Sequence, residues 1–142
     1  MKKFLIIVVV LLSALAWASG QQESIEALKA RADQAPPKEQ VDLFIHIAER
    51  QLDALDKAFN GGTVREAQLA LADVINYSVK AAQISSATGK RMKQTEIAMR
   101  KISGRLEAIR KTLDLDDRPP LADANQKLDA AHSELLNRMF RK

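Results

Sequence analysis

The sequence of residues 63–113 is TVREAQLALADVINYSVKAAQISSATGKRMKQTEIAMRKISGRLEAIRKTL. Apolar and small residues recur in it at the two core positions of a heptad repeat, and the frame does not slip. The first position holds Val64, Leu71, Ser78, Ser85, Met92, Met99, Leu106 and Leu113. The second position holds Ala67, Val74, Ala81, Thr88, Thr95, Ile102 and Ile109. This pattern predicts helix across the segment.

Two architectures fit that repeat. A break within residues 85–89 gives two helices over 63–88 and 90–113, whereas an unbroken 63–113 is one long continuous helix of about 75 Å at ~1.5 Å per residue. The preserved frame favours the long helix. Gly89 favours the break because glycine is a poor helix former. The small polar side chains between Ser78 and Thr95 also favour it, because they pack weakly at the core positions of the heptad. We predict the break and retain the long helix as the alternative.

The flanking sequence predicts further helices. Pro36 precedes a predicted helix over 37–60, and Pro37 is its first residue. Asn60-Gly61-Gly62 predicts that this helix ends at a glycine with left-handed backbone. Thr63 and Glu66 have the spacing of a capping box, which marks the start of the next helix. An aspartate within residues 114–117 is expected to cap a last helix over 119–140. With a short N-terminal helix before Pro36, the predicted fold class is all-α, an antiparallel helical bundle with about four main helices.

The first residues have the features of a signal peptide. Two lysines precede an apolar run and then small residues, so residues 1–18 are expected to be cleaved, with a cut after residue 20 as the alternative. The apolar run is shorter than the roughly 20 residues that span a bilayer, which disfavours a retained anchor. Residues 19–142 then form a single helical-bundle domain. We expect it to be periplasmic or extracellular, with membrane contact only through the signal peptide.

Composition excludes several classes of function. The chain has no cysteine, so thiol catalysis and Cys-ligated metals are excluded. Its net charge is +4, and two of the lysines belong to the predicted signal peptide. The remaining charge is too small for a nucleic-acid footprint, so no nucleic-acid partner is expected. Acidic side chains fit outer helical positions or turns, and no nucleophile has an obvious base, so we predict that the protein is not an enzyme.

Metal and haem chemistry would depend on two histidines. His46 and Glu49, like Asp129 and His132, have the i, i+3 spacing used in di-metal bundles, but their phase places them outside the apolar stripes. The segment that contains Asp114, Asp116 and Asp117 is not an EF-hand loop, because it has neither the glycine of that loop nor its closing glutamate. We therefore predict no metal and no cofactor, and keep a metal or haem carrier as the rival function.

The hairpin over residues 59–68 resembles those of small exported four-helix bundles, including the soluble periplasmic b-type cytochromes. That resemblance implies a haem held by one methionine and one histidine. The axial histidine would fall near Ala82, where the sequence has none close by. Met92 and Met99 occupy heptad core positions, which indicates packing.

Charge distribution is the strongest functional signal. Residues 90–113 carry a net charge of +6. They contain two acidic residues, Glu96 and Glu107, and eight cations: Lys90, Arg91, Lys93, Arg100, Lys101, Arg105, Arg110 and Lys111. One interpretation is internal balance by the acidic helix that carries Glu39, Asp42, Glu49, Asp53 and Asp56. The other is an interaction face for a protein or an anionic envelope component. We predict an exported interaction or chaperone-like module. A further alternative is a self-associating coiled-coil protein, in which the heptad core positions of residues 63–113 form a homo-oligomer.

Overall fold

The computed structural model describes residues 23–141, which contain five α-helices, one 3-10 turn and no strand. The helices are α1 (Ile25–Gln34), α2 (Pro37–Gly61), α3 (Val64–Thr88), α4 (Met92–Thr112) and α5 (Pro119–Phe140). The predicted all-α bundle of four main helices plus a short N-terminal one is confirmed. The predicted signal peptide and both cleavage positions lie outside the described residues.

The α2–α3 hairpin is closed by a capping box and a glycine. The Glu66 amide donates to Thr63 Oγ1 at 3.1 Å, and the Thr63 amide donates to Glu66 Oε2 at 3.0 Å, as the sequence predicts. The predicted left-handed stop is wrong, because Gly62 has φ −98°. Glycine is needed there for space instead, since a Cβ would lie 2.4 Å from Glu66 Oε2 and 2.8 Å from Ala58 Cα.

The long heptad repeat is broken between α3 and α4, which confirms the predicted break and rules out the long continuous helix. Gly89 and Arg91 both adopt left-handed backbone, with φ of 72° and 60°. Lys90 and Arg91 consequently lie in the turn, so α4 begins at Met92 rather than at the predicted residue 90. Two buried hydroxyls stabilise the turn: Ser85 Oγ donates to the Lys90 carbonyl at 2.7 Å, and Thr95 Oγ1 donates to the Arg91 carbonyl at 2.8 Å.

The four long helices form two antiparallel hairpins, α2–α3 and α4–α5, packed side by side. Arg91 contacts Asp42 near the starts of α4 and α2, and Arg105 contacts Asp53 farther along, so these neighbours run parallel. Helices α3 and α4 contact each other and both contact α2 and α5, which places α2 and α5 at opposite corners. Leucines from three of these helices, Leu52, Leu106 and Leu135 among them, are completely buried in the core.

The connection between α4 and α5 is a 3-10 turn over Leu115–Asp117. Arg118 stabilises it by donating from Nε to the Leu113 carbonyl at 2.9 Å, which satisfies a carbonyl at the end of α4. The predicted aspartate cap of α5 is wrong, because Arg118 occupies the N-cap position without a side-chain cap bond. Prolines at the first two positions of α5 instead begin the helix, since they need no amide partner there.

A matched pair of serine substitutions in α3 tests the role of its buried polar seam. The Ser78 hydroxyl is buried without a hydrogen-bond partner, whereas the buried Ser85 hydroxyl stabilises the α3–α4 turn. Ser78→Ala is expected to raise the free energy of unfolding by about 1 kcal/mol, and Ser85→Ala to lower it by about 1 kcal/mol. Both changes give the same gain in helix propensity, so the difference measured by urea unfolding isolates the hydrogen bond. Equal effects would contradict this role for Ser85.

Candidate functional site

The eight cations of residues 90–113 divide into two groups in the structure. Four form ion pairs, two of them with α2: Arg91 Nε lies 2.8 Å from Asp42 Oδ1, and Arg105 lies 2.7 Å from Asp53 Oδ1. The acidic α2 helix therefore does lie beside α4, and it neutralises two of the eight charges. Glu39, Glu49 and Asp56 form no ion pair among the described residues.

The other two paired cations are neutralised within α4. Arg100 Nε lies 3.0 Å from Glu96 Oε1, and Arg110 binds Glu107 one turn earlier in the helix. The hydrogen bond from Arg110 lowers the pKa of Glu107, which keeps this carboxylate ionised. The same contact raises the pKa of Arg110. These two pairs account for both acidic residues of the basic segment.

The other four cations of residues 90–113 are exposed lysines that form no ion pair with a described residue: Lys90, Lys93, Lys101 and Lys111. The last three lie on α4, whose solvent-exposed side also presents Ile97 with 47 % of its surface accessible. With 100° between successive residues, Ile97 lies between Lys93 and Lys101 around the helix. Exposed Gly104 and Ala108 continue that narrow strip. We define Lys93, Ile97, Lys101, Gly104, Ala108 and Lys111 as the basic face.

The two histidines lie on different helices and in different surroundings. His46 is exposed on α2, whereas His132 is half-buried and its Nε2 lies 3.2 Å from Glu96 Oε1. This contact joins α5 to α4, so the partner of His132 is Glu96 rather than Asp129. No group of three or more His, Asp or Glu side chains within residues 23–141 is arranged to hold a metal ion. Met99 is buried in the hydrophobic core and Met92 packs against it.

A titratable cluster that the sequence did not reveal joins α1 to the bundle. Lys29 Nζ lies 2.6 Å from Asp73 Oδ2, and Gln51 Nε2 donates to the same oxygen at 2.6 Å. Lys80 Nζ lies 5.0 Å from the centre of the Tyr77 ring, within cation–π distance. The i, i+4 spacing of Asp73 and Tyr77 places them on one side of α3, but nothing local in the sequence connects them to Lys29.

Two of the open clefts on the bundle surface are lined partly by α5. One, of about 570 Å³, follows α3 and α5, and its lining includes several alanines, among them Ala72, Ala82 and Ala130. The second, of about 300 Å³, lies where the α2–α3 hairpin meets the start of α5. Apolar side chains line it, among them Phe59, Val64, Leu71, Pro120 and Leu121. Asp116 and Asp117 also line it, and we call it the end cleft.

Comparison with known proteins gives no relative. Searches of protein-family models, curated proteins and solved structures found no match to this chain. Within residues 23–141, no helix has the length and hydropathy to cross a bilayer.

The pKa of Tyr77 is raised by burial, and the attraction of nearby Lys29 only partly offsets this effect. Burial also opposes the charged form of Lys29, but the hydrogen bond and attraction from Asp73 outweigh it, so the pKa of Lys29 is raised. Both groups bind their proton more tightly in the folded protein than in the unfolded chain. These two pKa shifts therefore stabilise the folded protein fully below the unfolded pKa values of ~10, and the stabilisation is lost as the pH rises through the folded values.

The single tyrosine makes this shift directly measurable. We expect the phenolate absorbance of the folded protein to appear at higher pH than that of the same protein in concentrated urea. Asp73→Asn should move the folded midpoint towards the unfolded one, because Asp73 opposes formation of the phenolate. Identical midpoints in the folded and urea-unfolded protein would contradict the burial of Tyr77 under α1.

Proposed function

We propose that this chain is an exported, non-enzymatic helical protein that acts as an interaction or chaperone-like module and binds an anionic partner through the basic face of α4. The observation that carries the proposal is the set of lysines on α4 that no acidic side chain of residues 23–141 neutralises. The partner is a protein or an anionic component of the cell envelope.

The geometry of α4 supports a contact that combines charge with a small apolar area. Exposed lysines attract anionic surfaces over a distance of about one Debye length, which is ~8 Å at physiological ionic strength. Ile97 lies between two of them and offers an apolar contact once the partner has docked. Arg91 and the arginines of α4 are held in ion pairs with Asp42, Asp53, Glu96 and Glu107, so their contribution to an outer partner is smaller.

Export is inferred from the first 18 residues, and the absence of catalysis from the sequence positions of the acidic residues. An exported protein does not meet nucleic acid in its ordinary environment, and its anionic neighbours are envelope proteins, lipid headgroups and cell-wall polymers. Binding to any of these through lysines weakens as salt screens the charges.

Charge reversal on the basic face tests this proposal. The triple variant Lys93→Glu, Lys101→Glu and Lys111→Glu is expected to lose the partner in a pull-down from envelope extract of the host. Wild-type protein should retain the partner at low salt and release most of it at high salt. Circular dichroism of the variant should remain helical, because all three side chains are exposed and unpaired.

The matched control places the same three reversals elsewhere, as Lys38→Glu, Lys57→Glu and Lys127→Glu on α2 and α5. It has the same net charge as the first variant and should bind like the wild type. A partner lost equally from both variants would show that only total charge matters. No specific partner at either salt concentration would refute the proposal.

A further inference from the structure

The two ends of the bundle expose complementary features. At one end the 3-10 turn carries three exposed carboxylates, Asp114, Asp116 and Asp117, that form no ion pair among the described residues. The same end exposes two large apolar side chains, Val64 at 74 % and Leu115 at 75 %. The end cleft opens beside them and is lined by Asp116 and Asp117, so its surroundings expose both apolar side chains and carboxylates.

The opposite end is basic and exposes an aromatic ring. Phe140, the last residue of α5, is 76 % exposed, and the exposed Arg141 follows it. Exposed Lys90 in the α3–α4 turn belongs to the same end. Arg138 connects the end of α5 to the end of α3 by donating from Nε to the Ser86 carbonyl at 3.1 Å.

The end cleft has the size and lining to accept such a side chain. Its volume is about 300 Å³, and it opens to solvent. Phe59, Leu71 and Pro120 supply an apolar wall for a phenyl ring, and Asp116 and Asp117 lie beside it. A guanidinium adjacent to that ring would find carboxylate partners there.

Phe140 cannot reach the end cleft of its own molecule. The cleft includes Pro120 at the start of α5, and Phe140 ends the same 22-residue helix, which is about 33 Å long at ~1.5 Å per residue. A second copy of the chain, by contrast, can present the exposed ring of Phe140 together with the cation that follows it, Arg141. We propose that Phe140 of one molecule docks in the end cleft of the next, with Arg141 beside Asp116 and Asp117.

Such a contact joins two different surfaces, so a pair of molecules keeps one free cleft, on one molecule, and one free Phe140, on the other. Assembly is then head to tail, and it continues into chains unless the rotation between copies closes a ring. The contact is small and is expected to be weak and concentration-dependent. It leaves the basic face of α4 exposed, and the proposed partner binding and this self-association are therefore independent.

Sedimentation velocity of the purified protein over a range of concentrations tests the inference. The average mass should increase with concentration, and Phe140→Ala should weaken the association by about tenfold or more, since aromatic anchors dominate small interfaces. Leu69→Ala is the matched control: it also removes an exposed apolar side chain, one that does not line the end cleft, and it should associate like the wild type. A monomer at every concentration, or equal effects of both substitutions, would overturn the inference.

Exchanging the charges of Arg141 and of the two aspartates tests the ionic part of the contact. Asp116→Lys combined with Asp117→Lys should prevent association, and Arg141→Glu should weaken it. Mixing these two variants should restore association, because Arg141 of the first meets the unchanged aspartates of the second, and the glutamate of the second meets the lysines of the first. Failure of the mixture to associate, while each variant retains its helical circular dichroism, would refute the pairing of Arg141 with the two aspartates.

Discussion

The left-handed turn between α3 and α4 is the constraint on which the rest of the structure depends. The heptad repeat continues through it in frame, so core periodicity alone would allow a single helix. Gly89 adopts left-handed backbone at little cost, whereas Arg91 pays a penalty on the order of 1 kcal/mol for the same conformation. Hydrogen bonds from the buried Ser85 and Thr95 hydroxyls to the Lys90 and Arg91 carbonyls offset that penalty.

This turn determines where the charges of α4 lie. By reversing the chain, it places α4 parallel to α2, and Arg91 and Arg105 reach Asp42 and Asp53. The side of α4 that carries Lys93, Lys101 and Lys111 is left facing solvent. The same reversal brings the α4–α5 connection to the α2–α3 hairpin, where Asp116 and Asp117 complete the end cleft. Both proposed contact surfaces are therefore consequences of one break in the helix.

Local signals predicted the fold well because they act within a few residues. The Thr63–Glu66 capping box, the prolines that begin α2 and α5, and Gly89 each act on the adjacent backbone. Predictions that assumed a standard cap were wrong where the surroundings changed the requirement. Gly62 provides space for Glu66 rather than a left-handed conformation, and Arg118 replaces the expected aspartate at the start of α5.

The candidate sites were less predictable because they depend on contacts between distant segments. Sequence arithmetic found the eight cations of residues 90–113, but only the structure divides them into paired arginines and unpaired lysines. The contact of His132 with Glu96 and that of Lys29 with Asp73 each join different helices, and no spacing rule connects them. The end cleft likewise combines the 59–71 region with residues 116–121.

The distance between the two ends of the 63–113 segment tests the chain reversal most directly. The protein has no cysteine, so Arg65→Cys and Lys111→Cys provide two unique, exposed positions for nitroxide labels. In the bundle, both labels lie at the same end, and pulsed electron paramagnetic resonance should give roughly 20–30 Å, from interaxial spacings of about 10 Å plus the label arms. A continuous helix would separate them by about 69 Å at ~1.5 Å per residue, and that result would contradict the account.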